Sequence, residues 1–105
     1  VARSLLSFHP EATREVEEAQ EWYLERSPSA EQGFLDDLDH AVEQVTAAPL
    51  RWPRYKARTR RYVFRNYPYS LIYRTYPDLV RILAVAHDSR RTNYWLSRAR
   101  TDDFR

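Results

Sequence analysis

The two halves of this chain carry different periodicities, and that split limits the fold more than any other feature. From Pro10 to Ala48 the apolar residues recur every three or four positions. Ala12, Val16, Ala19 and Tyr23 form one stripe, widened by Trp22, and Ala30, Phe34, Leu38, Ala41, Val42 and Val45 form a second. That spacing predicts two amphipathic helices. Pro10 and Ser27-Pro28 suit helix starts, since proline at the first helical position lacks only an N–H that would be unpaired anyway. Pro49 forbids continuation of the second helix. Two such helices joined by a tight break predict an antiparallel hairpin.

From Thr59 onward the pattern changes. Runs near Thr59–Arg65, Tyr69–Tyr76 and Leu79–His87 are rich in Tyr, Val, Phe, Leu and Ile, and predict three strands. Asn66-Tyr67-Pro68 and Pro77-Asp78 are the turns between them. Connections this short imply an antiparallel meander. The Leu79–His87 run is the most apolar, which places it centrally, covered on both faces. Ser4–Phe8 predicts a short N-terminal strand, Pro49–Ala57 a loop, Asn93–Arg100 a short final helix, and Thr101–Arg105 a frayed end. Grouped helices followed by grouped strands argue one α+β domain over residues 1–105, with no internal repeat or linker.

Charge follows the same division. Residues 1–50 hold three Lys/Arg and eleven Asp/Glu, a net of −8, while residues 51–105 hold fourteen and four, a net of +10. This suggests either a basic surface for a polyanion or acidic partner, or internal pairing of helices with sheet. There is no cysteine, which excludes disulfides, thiolate metal sites and a thiol nucleophile. No apolar run is long enough to span a membrane. Val1–His9 is too polar for a signal peptide, so the reading is a cytoplasmic chain.

Three features carry possible chemistry. Arg51, Arg54, Lys56, Arg58, Arg60, Arg61 and Arg65 form a basic stretch without an acid, interleaved with Trp52, Tyr55, Tyr62 and Phe64. Guanidinium groups grip phosphate bidentately and aromatic faces stack on bases, so this stretch, with Arg74, is a candidate nucleic-acid or partner surface. On a strand, Tyr62 and Phe64 would point inward instead. His87 ends the last strand and is followed by Arg90 and Arg91. An imidazole there can move protons near neutral pH, and with Arg61, Arg74 and Tyr94 it sketches a metal-free ribonuclease site. The plainer reading is a histidine that bonds backbone and locks a turn. Asp36 and His40 have a metal-compatible helical spacing but no third ligand, and read as an exposed pair. Paired acids such as Asp36-Asp37 read as solvated faces. Gly33 is the only glycine, so a Gly-rich phosphate loop is excluded, and no cofactor is implied.

Six segments, in this order, carry a resemblance: Phe8-His9-Pro10-Glu11-Ala12, Glu18-Ala19-Gln20-Glu21-Trp22-Tyr23, Pro49-Leu50-Arg51-Trp52-Pro53, Tyr67-Pro68-Tyr69-Ser70-Leu71-Ile72-Tyr73-Arg74, Ile82-Leu83-Ala84-Val85-Ala86-His87-Asp88-Ser89-Arg90-Arg91, and Tyr94-Trp95. Together they resemble RelE/ParE toxins of type II toxin–antitoxin systems, the plasmid stabilisation type, over residues 5 to 97. The resemblance implies an N-terminal strand and a helical hairpin packed on an antiparallel sheet. It implies a cognate antitoxin as partner, and contact with operator DNA only through that antitoxin. Two activities are compatible with it. ParE-like members inhibit DNA gyrase without known hydrolysis; RelE-like members cut messenger RNA in the ribosome. For a nuclease, Arg61, Arg90, Arg91, His87 and Tyr94 are the candidate catalytic residues. Ser70 stands where the middle strand of RelE-type enzymes carries an arginine, and Trp95 where they carry a terminal proton donor. These departures, with the Arg90-Arg91 pair, lean toward the ParE side. A further alternative is a non-toxic interaction or co-repressor module.

Overall fold

The computed structural model describes residues 4–102. Strand β1 (Leu5–Phe8) precedes helices α1 (Pro10–Arg26) and α2 (Pro28–Ala47). Strands β2 (Arg54–Tyr55), β3 (Thr59–Val63), β4 (Tyr69–Tyr76) and β5 (Leu79–His87) follow, and α3 (Leu96–Thr101) closes the chain. The five strands make one sheet in the order β1-β5-β4-β3-β2. The meander β2 to β5 is antiparallel, while β1 joins β5 in parallel, with Leu5 opposite Leu79 and Phe8 opposite Ile82.

Helix starts follow the prolines. Ser27 Oγ accepts the Ala30 N–H at 3.0 Å, as an N-cap serine does. At α1 the cap is His9, whose Nδ1 accepts the Glu11 N–H at 3.1 Å. The hairpin lies against one face of the sheet. There Ala12, Ala19, Phe34, Leu38, Ala41 and Val45 bury against Tyr62, Phe64, Leu71, Tyr73, Val80 and Ile82. Tyr23 stacks on Phe34 with ring centroids 5.5 Å apart. Trp22 does not join this core. It is half exposed, with Arg26 stacked on its ring.

A bulge in β5 shapes the opposite face. Ile72 pairs with Ala84 but Tyr73 pairs with Ile82, so Leu83 is an extra residue. Leu83 and Ala84 therefore both turn outward, where Ile72, Trp95 and Ala99 meet them. Segment 93–102 lies over part of this outer face.

Three expectations about element bounds change. The Pro49–Ala57 loop contains β2, closed onto β3 by a tight turn in which Thr59 N–H bonds Lys56 O at 3.2 Å. Ala57 and Arg58 have φ of 56° and 57°. Two consecutive left-handed residues mark a type I′ turn, which normally takes Asn-Gly. With side chains at both positions it costs about 1–2 kcal/mol per residue. The final helix starts at Leu96, not Asn93. Thr101 and Asp102 do not fray, because Arg81 holds Asp102 at 2.9 Å, both side chains being about nine-tenths buried. Residues 103–105 of that expected frayed end lie outside the described residues.

Asp37 is buried, not solvated. It accepts the backbone N–H groups of Asn66 at 2.9 Å and Tyr67 at 2.7 Å, tying α2 to the β3–β4 turn. Tyr67 then donates its hydroxyl to Ala30 O across Gly33, where a Cβ would collide with that hydroxyl.

Candidate binding surface on the outer sheet face

Alternation along β3 and β4 decides which side chains face outward. Tyr62 and Phe64 are buried toward the helices, so Arg61 and Val63 project from the other face. Arg61 Nε donates to Ser70 Oγ at 3.2 Å, and its guanidinium lies 5.6 Å from the Tyr55 ring. Arg61, Arg90, Arg91 and Tyr94 line one shallow cavity of about 80 Å³ with Ser70 and Trp95. Arg90 stacks on Tyr94 at 4.1 Å. Lys56 Nζ donates to Asn93 Oδ1 at 3.0 Å, clasping the β2–β3 turn to the loop after β5.

His87 borders this cavity, but its ring lies on the helix side. It packs edge-on against Tyr69, with centroids 4.9 Å apart. Its Nδ1 accepts the Ser89 N–H at 3.0 Å and lies 2.7 Å from Ser89 Oγ. It thus locks the turn after β5. On that side it lines a larger cavity of about 390 Å³ with Glu18, Trp22, Tyr23, Tyr69 and Arg90.

Tyr94 is also committed. Its hydroxyl donates to Glu15 Oε2 at 2.6 Å. Burial, and then the bond to Glu15, raise its pKa far above the ordinary value of 10.0, so the phenol keeps its proton. Glu15 further accepts from Arg98, at 3.1 and 3.2 Å, and from the Val85 N–H at 2.9 Å. Arg98 in turn donates to Leu83 O at 2.9 Å. β1 pairs with β5 only as far as Ile82. The Glu15–Arg98 pair therefore satisfies the β5 backbone where β1 has ended.

The predicted basic residues divide. Arg74 is not on the surface with the others: its Nη2 and Nη1 donate to Ala57 O at 2.6 Å and Ala99 O at 3.2 Å, beneath α3. Arg60 donates to Leu50 O and Trp52 O at 3.1 and 2.6 Å, which leaves it on the helix side of the sheet edge. Arg51 lies over Trp52. Arg54, Arg58 and Arg65 are exposed, as are Arg90 and Arg91. Among the described residues, no Asp or Glu forms an ion pair with any member of the Arg51–Arg65 set. Internal neutralisation instead takes Arg81 and Arg98. The interleaved aromatics are not free platforms. Trp52 packs edge-on against Tyr62 at 4.7 Å, Tyr55 tilts on Trp95 at 5.8 Å, and Phe64 is buried. Asp36 accepts from Gln32, and no group of three or more possible metal ligands occurs among the described residues.

Residues 6–92 match the family described as the ParE toxin of the type II toxin–antitoxin system parDE. The chain belongs to the ParE toxin family. The curated Toxin RelE3 of Caulobacter vibrioides is 35% identical over 85 residues, covering 78% of this chain and 91% of that protein. In fold, a solved chain of the chromosomal ParDE system from P. aeruginosa superposes with a TM-score of 0.70 at 15% identity, over 81% of this chain and 96% of that one. The chain is therefore a type II toxin whose family implies a cognate antitoxin. As a ParE-family domain it holds its helical hairpin and sheet as the resemblance implied, and no described helix is long and apolar enough to cross a membrane. The family match covers Arg61, Arg90 and Arg91 and stops before Tyr94 and α3.

The bonding roles of Glu15 and Asp37 are not legible in the sequence, because both sit among exposed acids at helical spacing, where Asp36-Asp37 reads as a solvated face. The only available signal was Glu15 lying one turn from Ala12 and Ala19 on the buried stripe.

Proposed function

We propose that this toxin acts by binding, in the ParE manner, and inhibits DNA gyrase in the cytoplasm without catalysis of its own. One observation carries the reading: the proton-moving atoms beside the Arg61 cavity, His87 Nδ1 and the Tyr94 hydroxyl, are engaged by other groups of the protein. His87 turns to the helix side and spends Nδ1 on Ser89, and the Tyr94 hydroxyl is given to Glu15. A general acid or base must reach the proton it transfers. What remains on the outer face is a set of guanidinium groups, which suits recognition. The cognate antitoxin, with an acidic segment, would cover the same face.

A second reading, ribosome-dependent messenger cleavage, is favoured by the 35% identical relative named RelE3 and by Arg61, Arg90, Arg91 and Tyr94 sharing one cavity. Purified toxin added to gyrase and relaxed plasmid separates the two. Loss of supercoiling, with messenger intact after induction in cells, is the expected result. Messenger cut in codon register with supercoiling unimpaired would sink the gyrase reading. Healthy growth at confirmed expression, with supercoiling unimpaired and messenger intact, would sink both and leave a non-toxic interaction module.

A further inference from the structure

The β2–β3 hairpin carries two unfavourable features side by side. In its ladder Arg54 stands directly opposite Arg60. Like charges placed across a strand pair repel and weaken it. At its turn Arg58 is held with φ 57°, where glycine is the ordinary choice. Both features converge on a recess of about 220 Å³ lined by Arg54, Tyr55, Arg58, Thr59, Arg60 and Thr75, with no acid among them. Arg60 uses Nη1 on the Leu50 and Trp52 carbonyls, which orients the guanidinium and leaves Nε and Nη2 without a protein partner among the described residues. Arg54 and Arg58 are exposed and unpaired there.

From these observations we infer that the recess is a phosphate-binding site, separate from the Arg61–Arg90 cavity on the outer face. Three arginines and a threonine line this space, and a tetrahedral oxyanion there would offer acceptors on several sides to their guanidinium and hydroxyl donors. A planar carboxylate offers two oxygens and engages one fork well, so phosphate suits the arrangement better. The anion also removes the Arg54–Arg60 repulsion, which no protein carboxylate offsets. Strain kept at Arg58 then has a use, because the turn aims its side chain at the ligand. The phosphate comes either from a nucleic-acid backbone or as a free phosphate.

The test uses the purified full-length toxin and inorganic phosphate, with chloride of matched ionic strength as reference. Phosphate is expected to shift the backbone amide resonances of Lys56–Thr59 and Thr75 and to raise the melting temperature. Arg54→Gln and Arg58→Gly are each expected to weaken phosphate binding about tenfold or more, the loss of a charged hydrogen-bond donor. Both are also expected to raise the melting temperature in chloride, one by relieving repulsion and the other by relieving strain. A purely structural role predicts no change in phosphate affinity for these folded variants. Arg61→Gln should leave the response intact. A single-stranded RNA dodecamer that binds far tighter than phosphate assigns the site to a backbone; equal affinity per phosphate assigns it to free phosphate. Either result upholds the inference. It is overturned if Arg54→Gln and Arg58→Gly leave the response unchanged, if Arg61→Gln abolishes it, or if a glutamate-rich peptide displaces phosphate and binds more tightly. Gyrase inhibition that persists in Arg58→Gly while phosphate binding is lost keeps the two sites distinct.

Discussion

The two faces of the sheet answer their buried polar groups in different ways. On the helix side, carboxylates answer: Asp37 takes two backbone N–H groups of the β3–β4 turn, and Glu15 takes the Val85 N–H, Tyr94 and Arg98. On the outer face, outside the Arg81–Asp102 pair beneath the final segment, arginines are held by neutral partners. Arg61 rests on Ser70 and Tyr55, Arg90 on the Tyr94 ring, and Arg74 on two carbonyls. The difference matters energetically. A buried carboxylate pair that loses one member leaves an uncompensated charge or donor, which costs several kcal/mol. An arginine that leans on a ring or a hydroxyl keeps its charge in contact with water and available to a partner. Stability and recognition thus divide across one sheet.

Glu15→Ala tests the helix side most severely. It strands Arg98, whose side chain is 13% exposed, and leaves the Val85 N–H unpaired. The expected loss is about 3–5 kcal/mol, read as a lower urea midpoint with an unchanged slope. A loss below about 1 kcal/mol would show that water replaces this carboxylate, and the contrast between faces would fail. Asp37→Ala comes next. Two turn N–H groups lose a charged acceptor, at a cost of about 2–3 kcal/mol, and faster amide exchange at Asn66 and Tyr67 should accompany it.

The contrast was only half legible in the sequence. Strands β4 and β5 were read at their observed bounds, because apolar runs framed by Pro-containing turns have few alternatives. Both helices were legible through the Ser27-Pro28 and Pro49 punctuation. β2 was not, since Ala57-Arg58 lacks the Asn-Gly signature of the turn it makes, and a two-residue strand shows no alternation. The parallel pairing of β1 rests on contacts more than 70 residues apart in sequence, beyond any local signal. The basic surface was visible as composition, but its division was not. Arg74 and Arg61 look alike along the chain, and only the register of β3 and β4 with the position of α3 separates the staple from the exposed group. Asp102 could not be matched to Arg81 for the same reason: their pairing depends on where the final helix docks.

His9 offers a milder test of the helix side, through pH. Its Nδ1 must be unprotonated to accept the Glu11 N–H. Burial lowers its pKa from 6.5, with Asp102 opposing and Arg81 and Arg98 assisting. A histidine lowered in the folded state stabilises that state above pH 6.5, and the contribution is lost as pH falls through the folded value. The cap is worth about 1 kcal/mol. His9→Ser should keep the cap and flatten the stability profile below pH 6.5, whereas His9→Ala should lose the cap at every pH. A wild-type profile as flat as that of the serine variant would remove His9 from the account.

The outer face is expected to show the smallest stability effect and the largest functional one. Arg61→Gln with Arg90→Gln removes two charges from the cavity beside Tyr94. Glutamine can still reach Ser70, and the Tyr94 hydroxyl stays on Glu15, so the melting curve should move by no more than about 0.5 kcal/mol. Association with the antitoxin or the target should behave otherwise. Charges at a rim set the encounter rate and its salt dependence, so the variant should associate more slowly and lose part of its sensitivity to ionic strength. Surface plasmon resonance at two salt concentrations reads both quantities. If the double variant instead unfolds as readily as Glu15→Ala, these arginines are structural, and the division of labour between the two faces does not hold.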